Sequence, residues 1–159
     1  MDTASLIKLV GLLKKQQLAS LGTLRNGQPF VSMVLFAVAD DFSAFYIHTS
    51  KLAFHTQDFL KNPVVSLMIM EAASANPDPQ QLARISLSGT VSAVNAEDDN
   101  FGRAQLLYLT KFPQSEPLFG FTDFSLYRIT PENARYVAGF GKAFNLTLAS
   151  LREAARVSS

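Results

Sequence analysis

The fold turns on residues 18–39: Leu18-Ala19-Ser20-Leu21-Gly22-Thr23-Leu24, then Arg25-Asn26-Gly27-Gln28, then Pro29-Phe30-Val31-Ser32-Met33-Val34-Leu35-Phe36-Ala37-Val38-Ala39. Asn26-Gly27 is a two-residue hairpin signal, because both positions tolerate positive φ. It separates a strand over residues 18–24 from a return strand over residues 30–39. The return strand is apolar on both faces. Val31, Met33, Leu35 and Ala37 alternate with Phe30, Val34, Phe36 and Val38, and only Ser32 interrupts. A strand buried on both sides belongs to a barrel wall covered by a helix or by another subunit.

Upstream, residues 3–17 place Leu6, Leu9, Val10 and Leu13 at helical spacing, with Thr3 or Ser5 as cap. Downstream, Asp40-Asp41 marks a turn and residues 42–47 a third strand. Residues 48–63 hold both histidines, and they read as a strand end feeding a short helix that Asn62-Pro63 stops. Residues 64–70 form a nearly all-apolar strand, and residues 72–81 a long loop. Residues 84–94 alternate cleanly. Ile85, Leu87, Val91 and Ala93 take one face, Arg84, Ser86, Ser88, Thr90 and Ser92 the other, and Gly89 marks a bulge or a close backbone approach. A helix is expected over residues 96–111, started by Asn95 and the acidic turn Glu97-Asp98-Asp99. A last strand pair is expected over residues 124–130 and 135–138, around Pro131-Glu132-Asn133, with Gly139-Phe140-Gly141 ending the β-region. A C-terminal helix follows over residues 147–156. About seven strands joined early by short turns argue for an antiparallel barrel with helices, in one domain over residues 1–159.

The 159 residues are 48% apolar and 17% charged, a globular composition. A formal charge of +1 with no basic run argues against nucleic acid as partner. The absence of cysteine removes thiolate catalysis and Cys-based zinc sites, and makes a reducing, cytoplasmic compartment the expectation. No apolar run reaches the length of a membrane span, and no leader pattern opens the chain. Asn145-Leu146-Thr147 fits a glycosylation acceptor but reads as a helix cap.

Two chemistries deserve weighing in residues 48–63. Nucleophilic catalysis needs a base beside the nucleophile, and only His48 and His55 qualify; for each, a local hydrogen bond is the plainer reading. No metal-ligand cluster accompanies them. An anion site is the better candidate: Ser50 and Lys51 precede a helix start, Thr56 is near, and Arg84 opens the polar face of residues 84–94. Each charge-assisted hydrogen bond to a phosphate there contributes roughly 1.5–3 kcal/mol. The competing reading is a solvated turn with a capped helix. No dinucleotide fingerprint, Walker loop or internal repeat occurs.

Taken together, several motifs resemble one family. Residues 18–24, Gly27-Gln28-Pro29-Phe30-Val31-Ser32, Ser50-Lys51-Leu52-Ala53 with His55-Thr56, and Asn62-Pro63 carry the first half of the likeness. Arg84-Ile85-Ser86-Leu87-Ser88-Gly89, Asp123-Phe124-Ser125-Leu126-Tyr127-Arg128-Ile129 and Gly139-Phe140-Gly141-Lys142-Ala143 carry the second. In this order they resemble the FMN-binding split-barrel proteins related to pyridoxamine 5′-phosphate oxidase, closest to the haem-utilisation-type branch. The resemblance implies an antiparallel split β-barrel and a homodimer with FMN in the groove between subunits. It places Ser32, Met33 and Val34 along the flavin ring and Thr49, Ser50 and Lys51 at its phosphate, with His55, Thr56 and Arg84 as further contacts. An FMN-dependent oxidoreductase acting on a small molecule is the function it implies. A haem-handling protein of the same fold is one alternative, with His48, His55 or a tyrosine on the iron. A flavin-binding module without turnover is another, and a deazaflavin is an alternative cofactor. Two departures stand out: nothing after Gly141 resembles the Arg/His substrate motif of the B6 oxidases, and no histidine follows His55 to match a C-terminal iron ligand.

Overall fold

A computed structural model describes residues 1–157. The chain opens with helix α1 (Thr3–Lys15), whose Leu9, Leu12 and Leu13 are buried. Its cap is Asp2, not Thr3 or Ser5: the Asp2 carboxylate accepts from the Ser5 N–H at 2.8 Å. Strands β1 (Leu18–Arg25) and β2 (Gln28–Leu35) form the expected hairpin, with Asn26 and Gly27 at φ 52° and 75°. The return strand then breaks at Phe36 and continues as β3 (Ala37–Val38). Phe42 adopts φ 55° and donates its N–H to the Ala39 carbonyl, which makes residues 39–42 a turn. The next strand, β4 (Phe45–Ser50), therefore starts later than residue 42 and carries His48, Thr49 and Ser50 within it.

Helix α2 (Phe54–Lys61) starts after that strand and ends at Asn62 as expected. Strands β5 (Val64–Met70) and β6 (Arg84–Val94) have the expected bounds. Helix α3 (Phe101–Lys111) begins five residues later than expected, because Asp98 closes a separate turn by accepting from the Asn95 N–H at 2.8 Å. A 3₁₀ segment (Pro113–Gly120) follows. The expected last strand pair is instead one strand of 16 residues, β7 (Phe124–Gly139). Gly139-Phe140-Gly141 does not end the sheet; it turns the chain into β8 (Lys142–Thr147), which pairs back on β7. Helix α4 (Leu148–Arg156) closes the described chain, with Thr147 and Ser150 forming a capping box.

All pairings are antiparallel, in the order β2-β1-β5-β6-β7-β4-β3, with β8 beside β7. The result is an antiparallel half-barrel with helices, an α+β fold. The inner face of the sheet holds the main core, where Leu9, Leu13, Leu21, Phe36, Leu67 and Ile85 meet under α1 and α4. The outer face is covered at one end only. There α3 and the 3₁₀ segment bury Tyr46, Val94, Tyr108, Phe112 and Leu126 in a second core. This explains a reversal in β6: Ala93, expected inward, is exposed, and Val94 is buried against α3. Among the described residues no helix is long and apolar enough to cross a membrane.

Strand β7 stays continuous through Pro131 because its register shifts there, between Ser88 and Gly89 of β6. A Cβ on Gly89 would sit 2.2 Å from the Thr130 carbonyl oxygen, against backbone that cannot swing away. Gly89→Ala is expected to destabilise the fold by about 1–3 kcal/mol or more, as overpacking does. Urea unfolding followed by circular dichroism checks this; an unchanged midpoint contradicts it.

His48 belongs to the second core. Its ring stacks on Phe119 at 3.8 Å between centroids, and Tyr108 meets it edge-on at 5.9 Å. Nδ1 is buried without a partner. Burial pushes its pKa down from 6.5 to about 4. Between those values the unfolded chain binds the proton and the folded chain does not. Stability should fall as pH drops from about 6.5 toward 4, by on the order of 3 kcal/mol from this group. Burial lowers His55 in the same direction. Urea unfolding at pH 7.5 and pH 4.5 measures the loss. His48→Phe, which keeps the stack, should remove much of it; an identical loss in that variant contradicts the assignment.

Candidate functional site

The residues expected to form one cofactor site fall into two separate places. The first is the α2 end of the barrel, where α2 lies across β1 and β2. Its helical periodicity turns Thr56, Asp58 and Phe59 inward. Thr49 and Thr56 are buried and share a hydrogen bond at 2.9 Å. Ser32 Oγ lies 3.0 Å from His55 Nδ1, and His55 Nε2 is buried with no partner. Burial holds the His55 pKa below the usual imidazole value, partly offset by the Asp58 charge, so the ring is neutral at pH 7. Asp58 accepts from Thr23 Oγ1 at 2.9 Å and from Arg25 at 2.9 Å, and the Arg25 guanidinium lies over the Phe54 ring at 3.6 Å. These bonds fasten α2 to the hairpin, so most polar groups of this end are spent on one another.

The donors expected at a phosphate have partners of their own. Ser50 donates its hydroxyl to the Asp123 carboxylate, and the Asp123 carbonyl accepts from the Lys51 N–H at 2.7 Å. A phosphate at Ser50 would meet a carboxylate that already holds the hydroxyl. Lys51 is exposed. Arg84 is nowhere near: Ser50 pairs with Phe124 at the start of β7, whereas Arg84 pairs with Val137 near its end. Within one chain, Lys51 and Arg84 stand at opposite ends of β7. Val34 is also set apart, buried in the inner core. Ser32 and His55 do meet, as do Thr49 and Thr56.

The second place is the uncovered part of the outer sheet face, which holds Met33 and Arg84. Cross-strand register builds it in rows. One row runs Met33, Ser20, Met68, Ser86, Arg135, Asn145 across six strands. A neighbouring row runs Val31, Gly22, Ser66, Ser88, Asn133, Thr147. A third contains Leu35, Leu18 and, farther on, Met70, Arg84, Val137 and Ala143. The β2, β1 and β5 side is mainly apolar, interrupted by Ser20 and Ser66, and the β6, β7 and β8 side is mainly polar. Val31 is 66% exposed and Met33 63%, although the strand pattern expects both under cover. A groove of about 550 Å³ lies on this side, with Leu18, Met33, Met68 and Met70 as its apolar wall and Lys15, Gln16, Ser20 and Glu71 at its polar rim. Another of about 560 Å³ lies on the polar side.

Neither histidine serves this face. His48 lies under α3 and the 3₁₀ segment, and His55 contacts Ser32, whose row partner Leu21 is fully buried in the inner core. Arg135 and Asp123 are the residues that local reading passes over. Arg135 becomes meaningful only with β8 in place, and the alternation of Ala143, Phe144, Asn145 and Leu146 is the signal for that strand.

Comparison with known proteins agrees with this architecture. Residues 9–150 match the family model of the CREG β-barrel. The chain is 39% identical over 119 residues to HOZ, a chloroplastic haem oxygenase of Arabidopsis thaliana, covering 75% of this chain and 35% of that one. It superposes on a haem-binding protein from Mycobacterium smegmatis with a TM-score of 0.82 at 22% identity, covering 96% of this chain and 61% of that one. It shares its fold, at a TM-score of 0.69 and 19% identity, with a Clostridium acetobutylicum protein of the pyridoxinephosphate oxidase family, covering 95% and 99% of the two chains. The chain thus spans about a third of the plant relative and three-fifths of the mycobacterial one. Its half-barrel, its half-covered outer face and the match over residues 9–150 place it in the CREG β-barrel family.

Proposed function

We propose that the protein binds haem on the uncovered outer face of its sheet, with a second copy of the chain closing over that face. One observation carries this reading. Leu18, Val31, Met33, Met68 and Met70 form a largely exposed apolar surface on three adjacent strands that no helix among the described residues covers, while α3 covers the other end of the same face. A flat macrocycle matches a flat apolar surface, and methionine adapts its shape to such a ligand. Each ~100 Å² of that surface withdrawn from water contributes about 2.5 kcal/mol. An uncovered patch of this kind marks an interaction site, and a two-fold dimer covers it with a copy of itself. The likeness to HOZ, a haem oxygenase by name, supports haem as the ligand.

Histidine ligation from within the same chain is not part of this reading, because His48 lies under the 3₁₀ segment and His55 at Ser32 on the inner side of the sheet. Flavin is the second reading. Its support is the fold shared with a member of the pyridoxinephosphate oxidase family. The Ser50–Asp123 bond weighs against FMN, and equally against a deazaflavin held by its phosphate. Haem degradation would be the corresponding activity, with haem as substrate, and oxidoreductase chemistry on a flavin the competing one.

The test is titration of the purified protein with hemin, FMN and riboflavin. A shifted, saturable Soret band with weak FMN binding is expected, and bleaching of that band by ascorbate in air would mark turnover. FMN binding far tighter than hemin, lost in Lys51→Ala while riboflavin binding is kept, would return the site to Ser50 and Lys51. Light scattering should give the mass of a dimer. Met33→Glu, which sets a charge in the apolar patch, should shift it toward monomer and weaken hemin binding about tenfold or more.

A further inference from the structure

We infer that Arg84 and Arg135 form a carboxylate clamp on the polar side of the outer face, which receives the two propionates of the haem. This rests on the haem reading above and deepens it. Arg135 lies opposite Ser86, in the row that continues from Met33 and Met68. Arg84 lies two residues before Ser86 on the same face, and so stands diagonally from Arg135, at a Cα spacing of roughly 7–8 Å. Two arginines thus start from neighbouring positions of one face, beyond the methionines of β5.

Both guanidiniums are oriented by neutral oxygens. Arg135 donates to Asn145 Oδ1 at 2.8 Å, and Arg84 donates to the Leu82 carbonyl at 3.0 Å. Neither takes part in any of the ion pairs found among the described residues. The groove beside Arg135 is lined by Ser66, Ser86, Ser88, Asn133, Asn145 and Thr147, and by no acidic side chain. Like charges on neighbouring positions of one face repel, and an anion that draws both guanidiniums in would relieve that repulsion. Fork-shaped donors are the groups that hold carboxylates in two-point geometry. Haem is the ligand whose chemistry matches both sides at once: an apolar plane for the methionine surface and two carboxylates at one edge for the arginines.

The experiment compares hemin with its dimethyl ester, which keeps the macrocycle and loses both negative charges. Arg135→Gln, which retains an amide for Asn145, and Arg84→Gln are tested beside the unaltered protein. Hemin affinity should fall about tenfold in each variant. The ester should bind all three proteins within about threefold, and rising salt should weaken hemin binding only where both arginines are present. Thermal midpoints of the variants should stay near that of the unaltered protein. Unchanged hemin affinity in both variants overturns the clamp and leaves the haem site standing. So does an equal loss of hemin and ester, which would show a structural role. No hemin binding by the unaltered protein overturns the haem reading itself, and the clamp with it.

Discussion

Strand β7 has to serve β6 along one edge and β4 and β8 in turn along the other, and it manages this by bending where Pro131 passes Gly89. The close approach there admits no side chain on β6. Before the bend, β7 backs the second core under α3; after it, β7 carries Arg135 onto open surface. The register shift is what lets one strand do both, and it also absorbs a proline that would otherwise remove a ladder donor. The distance between the two candidate places follows directly. Ser50 is held at the first end of β7 and Arg84 near the last, so no rearrangement of side chains within one chain unites them.

The two faces of the sheet are treated unequally. The inner face is filled by its own helices, with Leu9, Leu13 and Leu151 laid over the barrel wall. On the outer face a single helix and a 3₁₀ turn cover one end, and His48 is part of that cover's packing. The apolar residues of the remaining part, Leu18, Val31 and Met33 among them, stay exposed in the single chain. The α2 end, by contrast, is saturated internally: Thr49 with Thr56, Ser32 with His55, Asp58 with Thr23 and Arg25. Its hydroxyls are engaged with one another and with Asp123, while Lys51 stays exposed.

Much of the fold was legible in the sequence because its signals were local. The Asn26-Gly27 turn, strands β5 and β6, the Gly89 approach and the Thr147 cap all follow from neighbouring residues. What was not legible depended on partners distant in sequence. Pro131-Glu132-Asn133 has the composition of a turn, and only the bulge against β6 keeps it in a strand. Phe42 takes a left-handed φ that its residue type does not announce, so β4 was expected too early. For Met33 the pattern expects cover by a helix or a second subunit, and no helix of this chain supplies it: alternation tells which side a residue takes but not what covers that side. The polar cluster in residues 48–63 was recognisable as chemistry, yet its hydroxyls were already engaged by Asp123 and by each other. Arg135 stands out only once β6 sets it beside Ser86 and β8 sets it beside Asn145.

The most direct measurement of the central claim is methyl NMR of the four methionines during hemin addition. Iron(III) broadens nearby methyl signals, and Met33, Met68 and Met70 share the apolar side of the outer face while Met1 lies outside that groove. The account predicts that the first three broaden together and that Met1 keeps its line. Broadening of Met1 alone, or four unchanged lines under saturating hemin, would place the ligand elsewhere and contradict it.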